Sequence, residues 1–374
     1  MKKKIRVGIV FGGRSGEHEV SIRSARSVME AIDKEKYEVV PIGISKEGAW
    51  LVEGDPMEAL AARVDPRLIK APAHAESQAL VGAADEAEAL VPRAALLNAL
   101  DVVFPVLHGP FGEDGTVQGL LELAGLPYVG AGVTGSAVAM DKIVFKDVMM
   151  SRGLPTGPYL GLKRKRWEAG REAVLDEIEA ELGYPVFSKP ANLGSSVGIC
   201  KCDDRDELAA GLDEAALFDR KLLVEWAVPH AREIEVSVLG NDEPIASLPG
   251  EVVPGREFYD YAAKYIDEGE EASDLLIPAP LSEAQTERVR ALAVETFLAI
   301  DCAGLARVDF LLDGESGELY VNEVNTLPGF TSISMYPKLW KATGVTYVEL
   351  ISRLIDLALE RHADRQRSQT SYEL

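Results

Sequence analysis

Two short runs near the C-terminus, LARVDFLL (305–312) and LYVNEVN (319–325), flank the turn-forming sequence DGESG. Together they read as a β-hairpin. Pairing Leu312 with Tyr320 sets Asp309 opposite Glu323. Because strand side chains alternate faces, Arg307, Asp309, Glu323 and Asn325 then share one side. Two carboxylates and an amide, with no histidine or thiolate among them, make a hard-oxygen site suited to magnesium that bridges phosphates. Arg307 on the same face suits charge on a transferring phosphoryl group. A solvated polar face is the competing reading, but the apolar residues around the cluster imply burial, where unpaired carboxylates are costly.

A second stretch, KPANLGSSVGICK (189–201), places glycines and serines between two short strands. Backbone N–H groups and hydroxyls there suit a flap over phosphates. The stretch lacks the ending of a Walker A loop and leads into a strand, so alone it reads equally well as a hairpin turn. Lys189 before it and Lys142 upstream carry the right charge for phosphates, although either lysine alone reads as a surface residue. Glu225 and Glu233 in LVEWAVPHAREIEVSVLG (223–240) also read as surface residues in isolation. FYDYAAKY (258–265) joins aromatic and basic residues beside the acidic loop DEGEEASD (267–274).

The third stretch, FGGRSGEHEVS (11–21), follows the apolar run Ile5–Val10. A strand entering a glycine-rich turn and then a helix suits a phosphate. Glu17 puts a negative charge in that turn, where a phosphate would otherwise go, so the residues alone leave its ligand open.

The surrounding elements must position these groups. Ile22, Ala25, Val28, Met29 and Ile32 recur at helical spacing, and Tyr37–Ile44 reads as a second strand. Asp101–Leu107 reads as a buried strand, followed by the loop HGPFGEDG (108–115) and a helix from Thr116. Such strand–loop–helix repeats predict an open parallel sheet with ligands at the loops after its strands. From GAGVTGSAVAMDK (130–142) the chain enters a helix that Gly153-Leu154-Pro155 ends. A helix around 168–182 precedes short strands at 185–189, 197–201 and 222–226. The last third holds a strand at 233–239, a helix over 282–299, the hairpin, and a helix over 346–362. Segment 54–95, rich in Ala and Glu, gives no firm assignment.

The bulk composition limits the partners. At 374 residues the chain is long enough for two or three domains. With 39 Lys and Arg against 61 Asp and Glu, its net charge is -22, a field that disfavours nucleic acid and anionic membranes. No apolar run reaches the roughly 20 residues of a membrane span. The start, MKKKIRVGIVFGG, has a basic head like a signal peptide, but Arg6 and the glycines break it and it reads as a strand. Cys200, Cys202 and Cys302 form no disulfide framework and fit a reducing cytosol. Cys200 and Cys202 read as packed thiols rather than metal ligands, with no histidine nearby.

GGRSGEHEVS, LHGPFGEDGTVQGLLELAGLPYVG, MDK, KPANLGSSVG, YDYAAKY, RVDF and NEVNTLPGFTSIS occur in that order. With them the sequence resembles the D-alanine–D-alanine ligases of the ATP-grasp superfamily, from about residue 5 to 360. The resemblance implies an α/β (α+β ATP-grasp) fold, with an open parallel α/β domain over 1–130 and a two-lobed ATP-grasp module over 131–228 and 229–374. It implies ATP between the two lobes, with Lys142, Lys189 and Lys264 on its phosphates, Glu225 at the adenine edge and Glu233 at the ribose. Asp309, Glu323 and Asn325 would hold two magnesium (or manganese) ions. Glu17 would take the ammonium of the first D-alanine, near His108, and Ser195 and Tyr265 would join Glu17 in a closing network. Ser334 would bind the second substrate's carboxylate, and the backbone at Gly329 the developing oxyanion. The implied product is D-alanyl-D-alanine for peptidoglycan precursors. Relatives that make D-alanyl-D-lactate look altered at Tyr265 or its loop. The resemblance further implies a cytoplasmic homodimer, with 50–95 as an added element at the interface. Trp226 departs from the family's usual lysine beside the adenine glutamate, which implies tuning rather than loss.

Overall fold

The computed structural model describes residues 3–51, 54–61, 99–253 and 274–369. Its first sheet is built from β1 (Ile5–Gly12), β2 (Tyr37–Ile44), β3 (Trp50–Leu51) and β4 (Val102–Val106), in the order β3-β2-β1-β4. Both β2 and β4 run parallel to β1, as the strand–loop–helix pattern predicts. Between β1 and β2 the helix His18–Ala31 buries Ile22, Ala25 and Val28 against the sheet. Gly12 ends β1 at φ +93°, where a Cβ would lie 2.1 Å from the carbonyl oxygen of Ile44. Only glycine allows that approach, so the loop at 12–17 is fixed by backbone sterics.

A second sheet, β5-β8-β6-β7, is antiparallel: β5 (Tyr159–Lys163), β6 (Val186–Pro190), β7 (Cys200–Cys202) and β8 (Lys221–Trp226). The strand expected over 197–201 is shorter and later, because Ser195 and Ser196 take left-handed φ values of 54° and 58° and hold the loop out of the ladder. Cys202 packs in the core below this sheet.

The third sheet comprises β9 (Arg232–Gly240), β10 (Ile245–Ala246), β11 (Gly250–Val253), β12 (Asp274–Leu276), β13 (Gly304–Leu312) and β14 (Leu319–Asn325). Its main path is β12-β11-β9-β13-β14, and β10 pairs with β9. The amphipathic helix Tyr347–Arg365 returns to the first sheet. Leu350, Ile351, Leu354 and Ile355 share one core with Val7, Ile9, Phe11 and Phe104.

Three expectations change. The single helix after 130 is two helices, Val133–Met140 and Lys142–Ser151, because Asp141 leaves the helical conformation and caps the second through the N–H of Val144. The helix around 168–182 is also two, Arg164–Ala169 and Arg171–Glu181, broken at Gly170. In the hairpin, Leu312 faces Leu319 rather than Tyr320. A bulge then skips Asn322, so Asp309 still faces Glu323 and Arg307 faces Asn325.

Candidate active site

The bulge keeps the carboxylates together despite the shifted turn. Asp309 is buried, and Arg307 holds it through Nε to Oδ1 at 2.7 Å and a second guanidinium nitrogen to Oδ2 at 2.6 Å. Asn325 Nδ2 donates to Asp309 Oδ2 at 2.9 Å. Glu235, opposite Asp309 on β9, approaches Arg307 Nε at 3.1 Å. Burial opposes the charge of Arg307, but Asp309 and Glu235 together hold it protonated well above its ordinary range. Glu233 stands two residues from Glu235 on β9, opposite Leu311, so the ladder turns it to the same face.

Lys142 opens its helix and reaches two parts of this region. Its Nζ donates to the Leu193 carbonyl of the serine-rich loop at 2.7 Å and lies 3.7 Å from Glu323 Oε2. Lys189, at the end of β6, pairs with Glu225 on β8. Lys146, one helical turn past Lys142, reaches the other oxygen of Glu225 at 2.7 Å. Burial pushes Glu225 toward neutrality, but the two ammonium groups outweigh it and bring its pKa down to about 2. Burial shifts Lys146 below its ordinary value.

The glycine loop after β1 meets the serine-rich loop from the other side. Ser195 Oγ donates to Glu17 Oε1 at 2.5 Å, across 178 residues of sequence. Glu17 occupies the N-terminal cap of the helix His18–Ala31, where the helix dipole favours a carboxylate. Gly109 packs so closely that a Cβ would sit 2.7 Å from Glu17 Oε2.

His108 and Glu113 clasp one residue of the C-terminal segment. His108 Nδ1 meets the carbonyl of Leu327 at 2.9 Å, and the N–H of Leu327 donates to Glu113 Oε1 at 3.2 Å. The N–H of Gly109 donates to Glu113 Oε2 at 2.6 Å. Burial and nearby Glu17 push Glu113 up to about 8, and burial pushes His108 below its ordinary value. Leu327 leads to Gly329, whose Cβ would lie 3.3 Å from Ser334 Oγ. Ser334 precedes the helix Met335–Ala342, and its Oγ lies 2.8 Å from Thr331 Oγ1.

The structure thus joins Glu17 with Ser195, Lys142 with Glu323, Lys189 with Glu225, Arg307 with Asp309 and Asn325, and Gly329 with Ser334. Lys264 and Tyr265 lie outside the described residues, as does most of 54–95. Lys146, Glu113 and Glu235 go unassigned in the sequence reading. The signals were present: Lys146 is four residues from Lys142, Glu113 sits in the GEDG loop, and Glu235 alternates with Glu233. Chemically, one flank offers ammonium groups and a guanidinium to an anion, while the other offers a carboxylate to a cation.

Comparison with known proteins identifies the family. Residues 6–131 match the family D-ala D-ala ligase N-terminus, and residues 148–356 match D-ala D-ala ligase C-terminus. A D-alanine--D-alanine ligase of Heliobacterium modesticaldum is 52% identical over 97% of each chain. Another, from Natranaerobius thermophilus, is 48% identical over 99% of each. Among solved structures, the VanG D-Ala:D-Ser ligase from Enterococcus faecalis aligns with a TM-score of 0.78 and 33% identity, covering 95% of this chain and 100% of that one. The D-alanine-D-alanine ligase from Coxiella burnetii aligns with a TM-score of 0.76 and 34% identity, covering 97% and 96%. The chain belongs to the D-alanine–D-alanine ligase family.

Proposed function

We propose that the chain joins two D-alanines at the expense of ATP, giving D-alanyl-D-alanine, ADP and phosphate for peptidoglycan precursors. The observation that carries this reading is the Ser195–Glu17 hydrogen bond, which links the serine-rich loop to a carboxylate suited to an amino group. Lys142, Lys189 and Arg307 supply positive charge for a triphosphate on the other side of that loop.

A carboxylate is a poor electrophile, so the γ-phosphoryl group passes first to the carboxylate of the first D-alanine. Glu17 holds that substrate's ammonium and Arg307 offsets the charge of the transfer. The acylphosphate hydrolyses readily, so the Ser195 loop closes on Glu17 to exclude water. The amine of the second D-alanine, oriented by Ser334, attacks the acyl carbon. The backbone at Gly329 receives the oxyanion, and phosphate leaves. In this division of labour residues 1–130 hold the first D-alanine, while 131–228 and 229–374 enclose the nucleotide. Lys264 and Tyr265 complete the phosphate contacts and the closing network, and Glu233 takes the ribose.

Asp309, Glu323 and Asn325 suit divalent magnesium or manganese. Two carboxylates and an amide oxygen are hard donors, and the hairpin brings them to one face. Asp309, Glu323 and Asn325 would hold the ions, and the phosphates would complete their ligands. Bound there, the ions would neutralise phosphate charge. Among the described residues no helix is long and apolar enough to cross a membrane. A cytoplasmic homodimer remains part of the proposal.

Phosphate release from ATP, measured with D-alanine, L-alanine, D-alanine plus D-serine and D-alanine plus D-lactate, tests the reading. Release that requires D-alanine and yields mainly the D-alanine dipeptide is expected. ATP consumption independent of D-alanine would refute it.

A further inference from the structure

Lys146 is the most enclosed charge near the nucleotide end, with a side chain only 4% exposed. Three groups surround its ammonium. Glu225 Oε1 lies at 2.7 Å, Thr156 Oγ1 at 3.1 Å, and the Tyr159 ring faces Nζ at 5.7 Å from its centroid. Lys189 is held differently. Among the described residues its ammonium pairs with Glu225 alone, through Oε2, at the mouth of the serine-rich loop.

These two lysines therefore differ in how easily they can leave. Lys146 would surrender three contacts in an apolar helix face that also buries Phe145 and Met149. Lys189 would surrender one, and a triphosphate offers a richer set of acceptors in exchange. Once Lys189 turned away, Glu225 would be a buried carboxylate, and such a group without a counter-ion takes up a proton.

We propose that Lys146 is the permanent counter-ion of Glu225, keeping that carboxylate ionised and aimed when Lys189 is drawn onto the triphosphate, so that Glu225 selects a 6-amino purine. The proposal rests on the ATP-site reading above and adds base selection to it. An ionised carboxylate only accepts hydrogen bonds, so it matches the 6-amino group of adenine and opposes the 6-oxo group of hypoxanthine. A protonated Glu225 could donate, and the distinction would weaken. Lys146 is thus a positioning residue that acts through Glu225.

The test compares ATP with inosine triphosphate in wild type, Lys146→Met and Lys146→Arg, by steady-state phosphate release and by equilibrium nucleotide titration. Lys146→Met should raise KM for ATP about tenfold, the scale of one charge-assisted hydrogen bond, with little change in kcat. Its preference for ATP over inosine triphosphate should fall by a similar factor, and Lys146→Arg should restore most of it. In a Glu225→Gln background, Lys146→Met should cost no further nucleotide affinity, as expected of two residues acting as one unit. In this background Lys146→Met no longer strips a buried carboxylate of a counter-ion, so it decides the matter even if the single variant fails to fold. An unchanged base preference in Lys146→Met, or a further loss in the Glu225→Gln background, overturns the proposal. Titration separates the two readings. Selective ATP binding without D-alanine-dependent turnover would sink the ligase reading and leave the role of Lys146 standing.

Discussion

The loop around Glu17 and the cluster around Lys189 use the same backbone device with opposite charge. Each is a strand that ends in a loop of glycine and small polar residues. At the first, burial and then the neighbouring carboxylate of Glu17 raise Glu113 to about 8. At the second, two ammonium groups share Glu225, which falls to about 2. The contrast teaches that a glycine-rich turn after a strand does not by itself choose an anion. The side chain at the cap chooses, and Glu17 fills the cap that a phosphate would otherwise use.

Breaking the nucleotide end should have the largest effect. Asp309→Asn removes one of the two carboxylates proposed to face the phosphates, and kcat should fall by about three orders of magnitude, the several kcal/mol expected of metal and charge stabilisation. Near-normal turnover in single-turnover kinetics would contradict the role given to Asp309. At the other end, Glu17→Gln should raise KM for the first D-alanine about tenfold to a hundredfold, with a much smaller change for ATP. Unchanged D-alanine kinetics would remove Glu17 from the substrate site.

The smallest effect concerns stability. Glu113 binds its proton more tightly in the folded chain, with a value of about 8 against an ordinary 4.5. Its contribution is therefore complete below about pH 4.5 and lost as pH rises through about 8. Glu113→Gln cannot titrate, so its melting temperature should fall less than that of wild type between pH 5 and 9, by a difference of a few degrees. Parallel melting curves would show that Glu113 does not carry the pH dependence.

Much of this contrast is legible in the sequence because it rests on alternation. The parallel first sheet follows from strand–glycine–helix order, and the shared face of Arg307, Asp309, Glu323 and Asn325 follows from period-two geometry. What resists reading is burial of single charges. Lys146, Glu113 and Glu235 look like ordinary surface residues until other strands and loops close over them. Helix breaks at Asp141 and Gly170 are local, but their cost is small enough that tertiary packing decides them. The length of the hairpin turn is similarly undetermined, since DGESG permits pairings that differ by one residue.

That one residue gives the hairpin something like a reading frame. With Leu312 set opposite Leu319, an uninterrupted ladder would carry Glu323 and Asn325 to the face that Val321 now buries. Asn322, skipped by the ladder, restores the phase before the carboxylate is reached. Substitution at Asn322 leaves that count intact, and deleting it closes the bulge with Glu323 still opposite Asp309, whereas one residue inserted between Leu319 and Val321 shifts every later side chain by half a period. The shared face therefore depends on the number of residues between the turn and Val321, not on the side chain at 322.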